Sequence, residues 1–199
     1  SQMGLEDIAI MRAVPHSIVL YPCDAVSTYA CVALMMNYNQ GISYIRTTRV
    51  ATHVLYDNQE EFIVGGCKQL KKSSLDTVCV IAAGITVHEA LKAYEILRAS
   101  DIVIRVIDCY SVKPLPENEL MQSVHDCSGN VVVVEDHYTQ GGLGEAVARL
   151  LCNQDVFLVH LSVIELSRSG LPYELLTYHG IDAQAIVQAV HKVLAKRSV

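Results

Sequence analysis

The sequence predicts an α/β fold: a mostly parallel sheet covered by helices, preceded by the end of another α/β unit. Three observations carry this reading. Val131-Val132-Val133-Val134 is an unbroken apolar run, the habit of a strand buried on both faces. From residue 77 onward, strand-like and helix-like stretches alternate with short polar breaks, the rhythm of right-handed β-α-β crossovers. The chain of 199 residues is 51% hydrophobic and 18% charged, enough for a buried core and unlike a disordered segment.

Taken in order, residues 4–14 read as a short amphipathic helix with Leu5, Ile8, Ala9 and Met11 at helical spacing, ended by Pro15. Residues 17–21 make a compact apolar strand stopped by Pro22. Asp24 is placed to cap a helix over 25–38, its carboxylate accepting N–H groups of the first turn. Gly41 introduces a strand over 42–46 that runs out into Thr47-Thr48-Arg49. A parallel sheet of two strands cannot cover itself, so this segment is expected to be the end of a larger domain.

Residues 50–61 lack periodicity and read as a linker to a second domain. Residues 62–70 read as an edge strand bent at Gly65-Gly66, and Lys71-Lys72-Ser73-Ser74 as a turn. Strands over 77–82 and 102–107 then alternate with helices over 86–99 and 117–126, the second following Pro114 and Pro116. The valine strand, 131–134, is expected to stop at Glu135. Glycines at 141, 142 and 144 open a helix over 143–151, and 156–161 is a further strand. Pro172 starts a short helix reaching residue 178, where its missing N–H costs nothing, and Asp182 caps a last helix over 183–196.

A formal charge of −6 argues against nucleic acid as the main partner, which would need clustered Lys and Arg. No apolar run is long enough to cross a bilayer, and Ser1-Gln2-Met3-Gly4-Leu5-Glu6-Asp7 lacks the pattern of a signal peptide. The seven cysteines are odd in number and include no C-x-x-C pair, so they read as buried reduced thiols in a cytoplasmic protein.

Several stretches invite a chemical reading. Gly142-Leu143-Gly144-Glu145-Ala146-Val147 ends in valine rather than the third glycine of a dinucleotide loop, so its glycines read as backbone for a tight turn. Glu135-Asp136-His137 combines three ionisable groups, but adjacent residues on a strand point in different directions. They read as a helix cap, a loop brace or a subunit contact. His88-Glu89 starts like a zinc-protease helix, yet Lys92 stands where the second histidine belongs. No spacing of His, Cys or carboxylates suggests a metal site, and no Walker loop or G-x-S-x-G elbow is present. Arg46 and Arg49 leave a strand end into irregular chain. There arginine suits bidentate capture of a phosphate or carboxylate, or a surface ion pair, and local sequence leaves both open.

Taken together, the motifs closely resemble the transketolase family over essentially the whole chain. They are Ser1-Gln2-Met3-Gly4-Leu5-Glu6-Asp7, Tyr21-Pro22-Cys23-Asp24, Ile45-Arg46-Thr47-Thr48-Arg49 and Gly84-Ile85-Thr86-Val87-His88-Glu89-Ala90-Leu91. In the same order follow Val112-Lys113-Pro114-Leu115, Val134-Glu135-Asp136-His137-Tyr138, Gly141-Gly142-Leu143-Gly144-Glu145-Ala146-Val147 and Ser167-Arg168-Ser169-Gly170. The resemblance implies that residues 1–58 are the C-terminal part of a pyrimidine-binding domain and 59–199 a C-terminal domain. The β part of 2-oxo acid dehydrogenases shares the latter design, but the Arg49 motif favours transketolase.

The family implies thiamine diphosphate and a divalent metal, Mg or Ca, bound between the subunits of a homodimer. Its reaction moves a two-carbon ketol unit from a ketose phosphate to an aldose phosphate, in the pentose phosphate pathway. By resemblance, Gln2 matches the position on the aminopyrimidine side of the cofactor and Arg49 the arginine that binds the sugar phosphate, with Arg46 its strand-end neighbour. Val50 replaces a common proline after Arg49, which loosens the loop, and Cys109 replaces a proline after a strand-end aspartate. The family's catalytic glutamate and its metal ligands lie upstream of Ser1, so the chain alone is expected to be inactive. The competing expectation is a non-catalytic module for dimerisation or interaction, with a nicotinamide-cofactor binder a distant third. On this reading Glu135 to Gly144 is a structural corner near a dimer contact.

Overall fold

A computed structural model describes residues 4–197. The first part holds helix α1 (Asp7–Ala13), strand β1 (Ile18–Leu20), helix α2 (Ala25–Met36) and strand β2 (Ser43–Ile45). After an irregular stretch come β3 (Lys68–Lys71), β4 (Val78–Ala82), α3 (Ile85–Arg98), β5 (Ile104–Asp108), β6 (Ser111–Lys113) and α4 (Glu117–Asp126). The chain closes with β7 (Asn130–Tyr138), α5 (Leu143–Leu150), β8 (Phe157–Val163), α6 (Pro172–Tyr178) and α7 (Ala183–Arg197).

The larger sheet has the order β3-β5-β4-β7-β8, parallel throughout except for the antiparallel edge strand β3. Successive side chains of a strand face opposite sides. Val78, Val80, Ala82, Val132 and Val134 therefore pack towards α3 and α7, while Cys79, Ile81, Val131 and Val133 pack towards α4 and α5. All four valines of the run are fully buried, as a strand covered on both faces requires. Six of the seven cysteines are buried or half-buried, Cys152 is exposed, and all are free thiols.

Three differences from the sequence reading bear on the site. First, β7 does not stop at Glu135. It runs on through Asp136 and His137 to Tyr138, with a register shift against β8 between Val134 and Tyr138. Polar side chains there do not end the strand, because each finds a buried partner. Second, the edge strand begins only at Lys68. Phe62 packs edge-on against Tyr56 and Tyr110, with centroids 5.1 and 4.9 Å away, and the Tyr110 hydroxyl donates to the Ile63 carbonyl at 3.0 Å. That aromatic cluster holds residues 62–66 off the sheet.

Third, β6 joins the first sheet rather than the second. It pairs antiparallel with β1, Val19 opposite Lys113 and Leu20 opposite Ser111, giving the order β2-β1-β6. The two-stranded sheet that could not cover itself is completed by a strand from far along the chain, Ser111–Lys113. Both core clusters accordingly mix early and late residues: Ile18, Leu20 and Cys31 sit with Val80 and Val132, and Val19 and Tyr21 with Ile81 and Val133.

Candidate functional site

The polar end of β7 sends three adjacent side chains to three different places. The Glu135 carboxylate, buried, accepts the backbone N–H groups of Leu143 and Gly144 at 2.6 and 2.8 Å, and His160 Nε2 donates to it at 2.7 Å. It neutralises the N-terminus of α5, where orphan donors and the helix dipole favour a negative charge. A Cβ at Gly142 would overlap this carboxylate, which is why glycine stands there. His137, fully buried, accepts from the Ala9 N–H at 3.2 Å and donates through Nδ1 to the Tyr138 carbonyl at 2.7 Å. These partners select the tautomer with hydrogen on Nδ1, and they tie β7 to α1. The cap and brace anticipated from sequence are present.

Asp136 turns the other way, into a cleft of about 850 Å³ between the two parts of the chain. The cleft is built around Arg46, just beyond β2. The Arg46 Nη2 donates to the Asp136 backbone carbonyl at 2.9 Å and lies 3.3 Å from its carboxylate. Tyr21 lies beneath, its ring centroid 4.9 Å from the guanidinium carbon, and its hydroxyl donates to Asp136 at 2.9 Å. Gly84, with φ near +57°, lets the start of α3 pass directly against that ring, where any Cβ would collide. On the far side Asp7 Oδ1 lies 3.6 Å from Arg46 Nη1, close enough for Coulomb attraction but too far for a hydrogen bond, and Tyr44 donates to Asp7 at 2.7 Å.

The electrostatics follow from burial among opposite charges. Burial works against the Arg46 charge, yet Asp136 foremost and Asp7 behind it outweigh that and raise its pKa. Burial, then Asp136, pushes the Tyr21 phenol well up. Burial and Asp7 carry Tyr44 to about 12. Arg46 therefore stays a cation and Tyr21 and Tyr44 stay neutral phenols across the physiological range. Arg46 Nη1, Asp7 Oδ1 and Asp136 Oδ1 are buried without a hydrogen-bond partner among the described residues, the first two facing each other as an ion pair at 3.6 Å.

Arg49 stands three residues on, exposed, at the rim of the cleft. No ion pair holds it among the described residues, so its planar fork is available. Of the two sequence-predicted site residues, the structure places Arg49 on this cleft, while Gln2 lies outside the described residues. Asp136, Tyr21, Asp7 and Tyr44 were missed as cleft residues. The motifs Tyr21-Pro22-Cys23-Asp24 and Val134-Glu135-Asp136-His137-Tyr138 contained two of them, but nothing local said that they meet. No group of three or more His, Cys, Asp or Glu side chains among the described residues is arranged to hold a metal ion. No helix there is long and apolar enough to cross a membrane.

Comparison with known proteins agrees over both parts of the chain. The profile "Transketolase, pyrimidine binding domain" matches residues 1–53 and "Transketolase, C-terminal domain" residues 68–186. The chain is 45% identical over 197 residues to transketolase of Homo sapiens and to transketolase-like protein 2 of Mus musculus, covering 98% of itself but 32% and 31% of them. It thus spans about a third of the length of these relatives. Among solved structures it superposes on one described as "Split gene transketolase, inactive beta4 tetramer" with a TM-score of 0.87 and 34% identity, covering 96% of this chain and 62% of that one. A transketolase from Campylobacter jejuni, 15% identical over 95% of this chain and 28% of its own, shares the fold at a TM-score of 0.75. Family domains matched in order, and identity sustained along the whole chain, show that it belongs to the transketolase family and corresponds to a C-terminal part of its members.

Proposed function

We propose that this chain is the substrate-gripping, C-terminal part of a transketolase, with Arg49 binding the phosphate of the sugar. The observation that carries the reading is the contrast between two arginines. Arg46 is locked by Asp136, Tyr21 and Asp7, whereas Arg49, on the same cleft, has no partner among the described residues. A locked cation shapes a site, and a free one at its rim suits a bidentate anion. The cleft's polar walls, from Asp7, Tyr44, Thr47, Thr48 and Asp136, suit a hydroxylated ligand.

The parent reaction on this reading is transfer of a two-carbon ketol unit from a ketose phosphate to an aldose phosphate, in a cytoplasmic homodimer of the pentose phosphate pathway. Thiamine diphosphate, when bound, would supply the electron-sink chemistry for that transfer. Gln2 is the residue of this chain assigned to it, at the aminopyrimidine side, and most of the Mg or Ca ligands belong to the remainder of the parent. We divide the chain at 58/59, between the pyrimidine-binding and C-terminal parts. What the described residues do is narrower: Arg49 holds phosphate, and Asp136 reaches across that division to set Arg46.

Ribose 5-phosphate titrated calorimetrically into the full chain tests the grip. Arg49→Ala should weaken binding about tenfold or more, the range for a charge-assisted pair to phosphate. Unchanged affinity in the variant would remove Arg49 from the site. The chain alone is expected to show no ketol transfer with thiamine diphosphate and Mg, and robust turnover would refute that. The neighbour described as an inactive tetramer supports this expectation, and it also favours a second reading, a non-catalytic module that assembles with itself. Native mass separates the two: well above 21.9 kDa per subunit indicates a piece of a full enzyme, and a mass equal to it a stand-alone module.

A further inference from the structure

A second cavity, of about 520 Å³, adjoins the arginine cleft on the side of the C-terminal part. Leu5, Ile85, Val163, Leu175, Leu176 and Ile181 form its apolar walls, contributed by α1's approach, the start of α3, the end of β8 and α6. Ser167 and Gly170 stand at its edge, so the Ser167-Arg168-Ser169-Gly170 motif, unused by the arginine cleft, is part of it. A concave, mostly apolar space with a few polar groups, lying between two parts of a chain, is the usual form of a small-molecule site.

The polar groups have a definite character. Nε2 of His179 is buried without a hydrogen-bond partner among the described residues. Burial, then repulsion from Arg168, lowers the His179 pKa, so the ring is neutral and its orphan nitrogen seeks a hydrogen bond. The nearby carboxylates are engaged: Glu165 takes the Tyr178 hydroxyl at 2.8 Å, and Asp136 holds Arg46 and Tyr21. Arg168 covers the face of the Tyr178 ring at 3.4 Å. Arg49, which rims this cavity as well as the cleft, has no counter-charge among the described residues.

We propose that this cavity is a second ligand site, for a small molecule joining an apolar body to one anionic group, the body against Leu175 and Ile181, a polar atom on His179 and the anion on Arg49. Because one arginine serves both spaces, occupation of the cavity competes with phosphate in the cleft. Only that competition rests on the sugar-phosphate reading; the cavity's walls and its orphan nitrogen do not.

Phenyl phosphate, inorganic phosphate and phenol, titrated into the full chain, separate body from head. Phenyl phosphate should bind at least about tenfold more tightly than either fragment, as burial of an aromatic ring implies. Leu175→Glu, which places a like charge in the half-buried wall, and His179→Leu, which keeps its apolar volume, should each weaken phenyl phosphate about tenfold. His179→Leu, which adds no charge beside Arg49, should leave ribose 5-phosphate affinity unchanged. The two variants check each other if one proves unstable. Phenyl phosphate binding no tighter than phosphate, or equally tight in a folded variant of either kind, overturns the cavity proposal. Loss of ribose 5-phosphate competition with the cavity effects intact would overturn the shared use of Arg49 and leave the site standing.

Discussion

Asp108 shows how much one buried carboxylate can carry. It is fully buried at the end of β5, accepting the Tyr56 hydroxyl at 2.6 Å and the Cys23 thiol at 3.1 Å through one oxygen, while the other has no hydrogen-bond partner. Burial raises its pKa to about 6, against the lowering effect of those two bonds. An acid whose folded pKa lies above its unfolded value binds more protons when folded. Its contribution is fully present below the unfolded value near 4 and is lost as pH rises through about 6, on the order of 3 kcal/mol by linkage. Asp24 has the opposite sign. Burial is outweighed by hydrogen bonds from Ser27, Leu55 and Tyr56, so its pKa is lowered and its contribution fades as pH falls. Urea melts of wild type and Asp108→Asn at pH 4, 5, 6 and 7 therefore need to be compared as differences. The variant is expected to gain relative stability with rising pH, and a pH-independent difference would refute the assignment.

At the scale of elements, the joint between β7 and α5 was legible as a joint but not as a piece of wiring. The valine run, the glycines and the helix after them could be read from hydrophobic pattern and turn chemistry, which are local. That Glu135 reaches forward to α5 and across to His160 depends on β8 lying next to β7. Glu135→Ala would leave two buried N–H groups unpaired and should cost about 2–4 kcal/mol in urea unfolding. A cost under about 0.5 kcal/mol would mean that water replaces the carboxylate. Strand β6 was not legible at all. Three residues ahead of a proline carry no period, and their place is set by β1, far back in the chain.

Across the whole molecule, the two sheets are fastened rather than merely adjacent. β6 pairs with β1, Lys113 Nζ donates to the Arg12 and Val14 carbonyls at 2.8 and 2.6 Å, and Tyr56 links the irregular stretch to Asp108. Residues on both sides of position 58 share the same core clusters. Unfolding is expected as one transition, with tyrosine fluorescence and far-ultraviolet circular dichroism superimposing. A fragment of residues 59–199 exposes the β6 edge and the apolar faces that Val19, Leu20 and Tyr21 cover, and should melt at a clearly lower temperature than the full chain. Equal melting temperatures would show the two parts to be energetically independent.

The amino-acid sequence by itself determined the α/β class, nearly every helix and strand, and the family, because hydrophobic period, caps and contiguous motifs are properties of neighbouring residues. Tertiary structure alone decided that Asp136 faces the arginine cleft while Glu135 and His137 do not. It alone decided that β6 completes the first sheet and that His179 and Arg49 line one cavity. Those outcomes depend on the register of β7 and on contacts across about 90 residues, where chain connectivity says nothing and packing settles the partner.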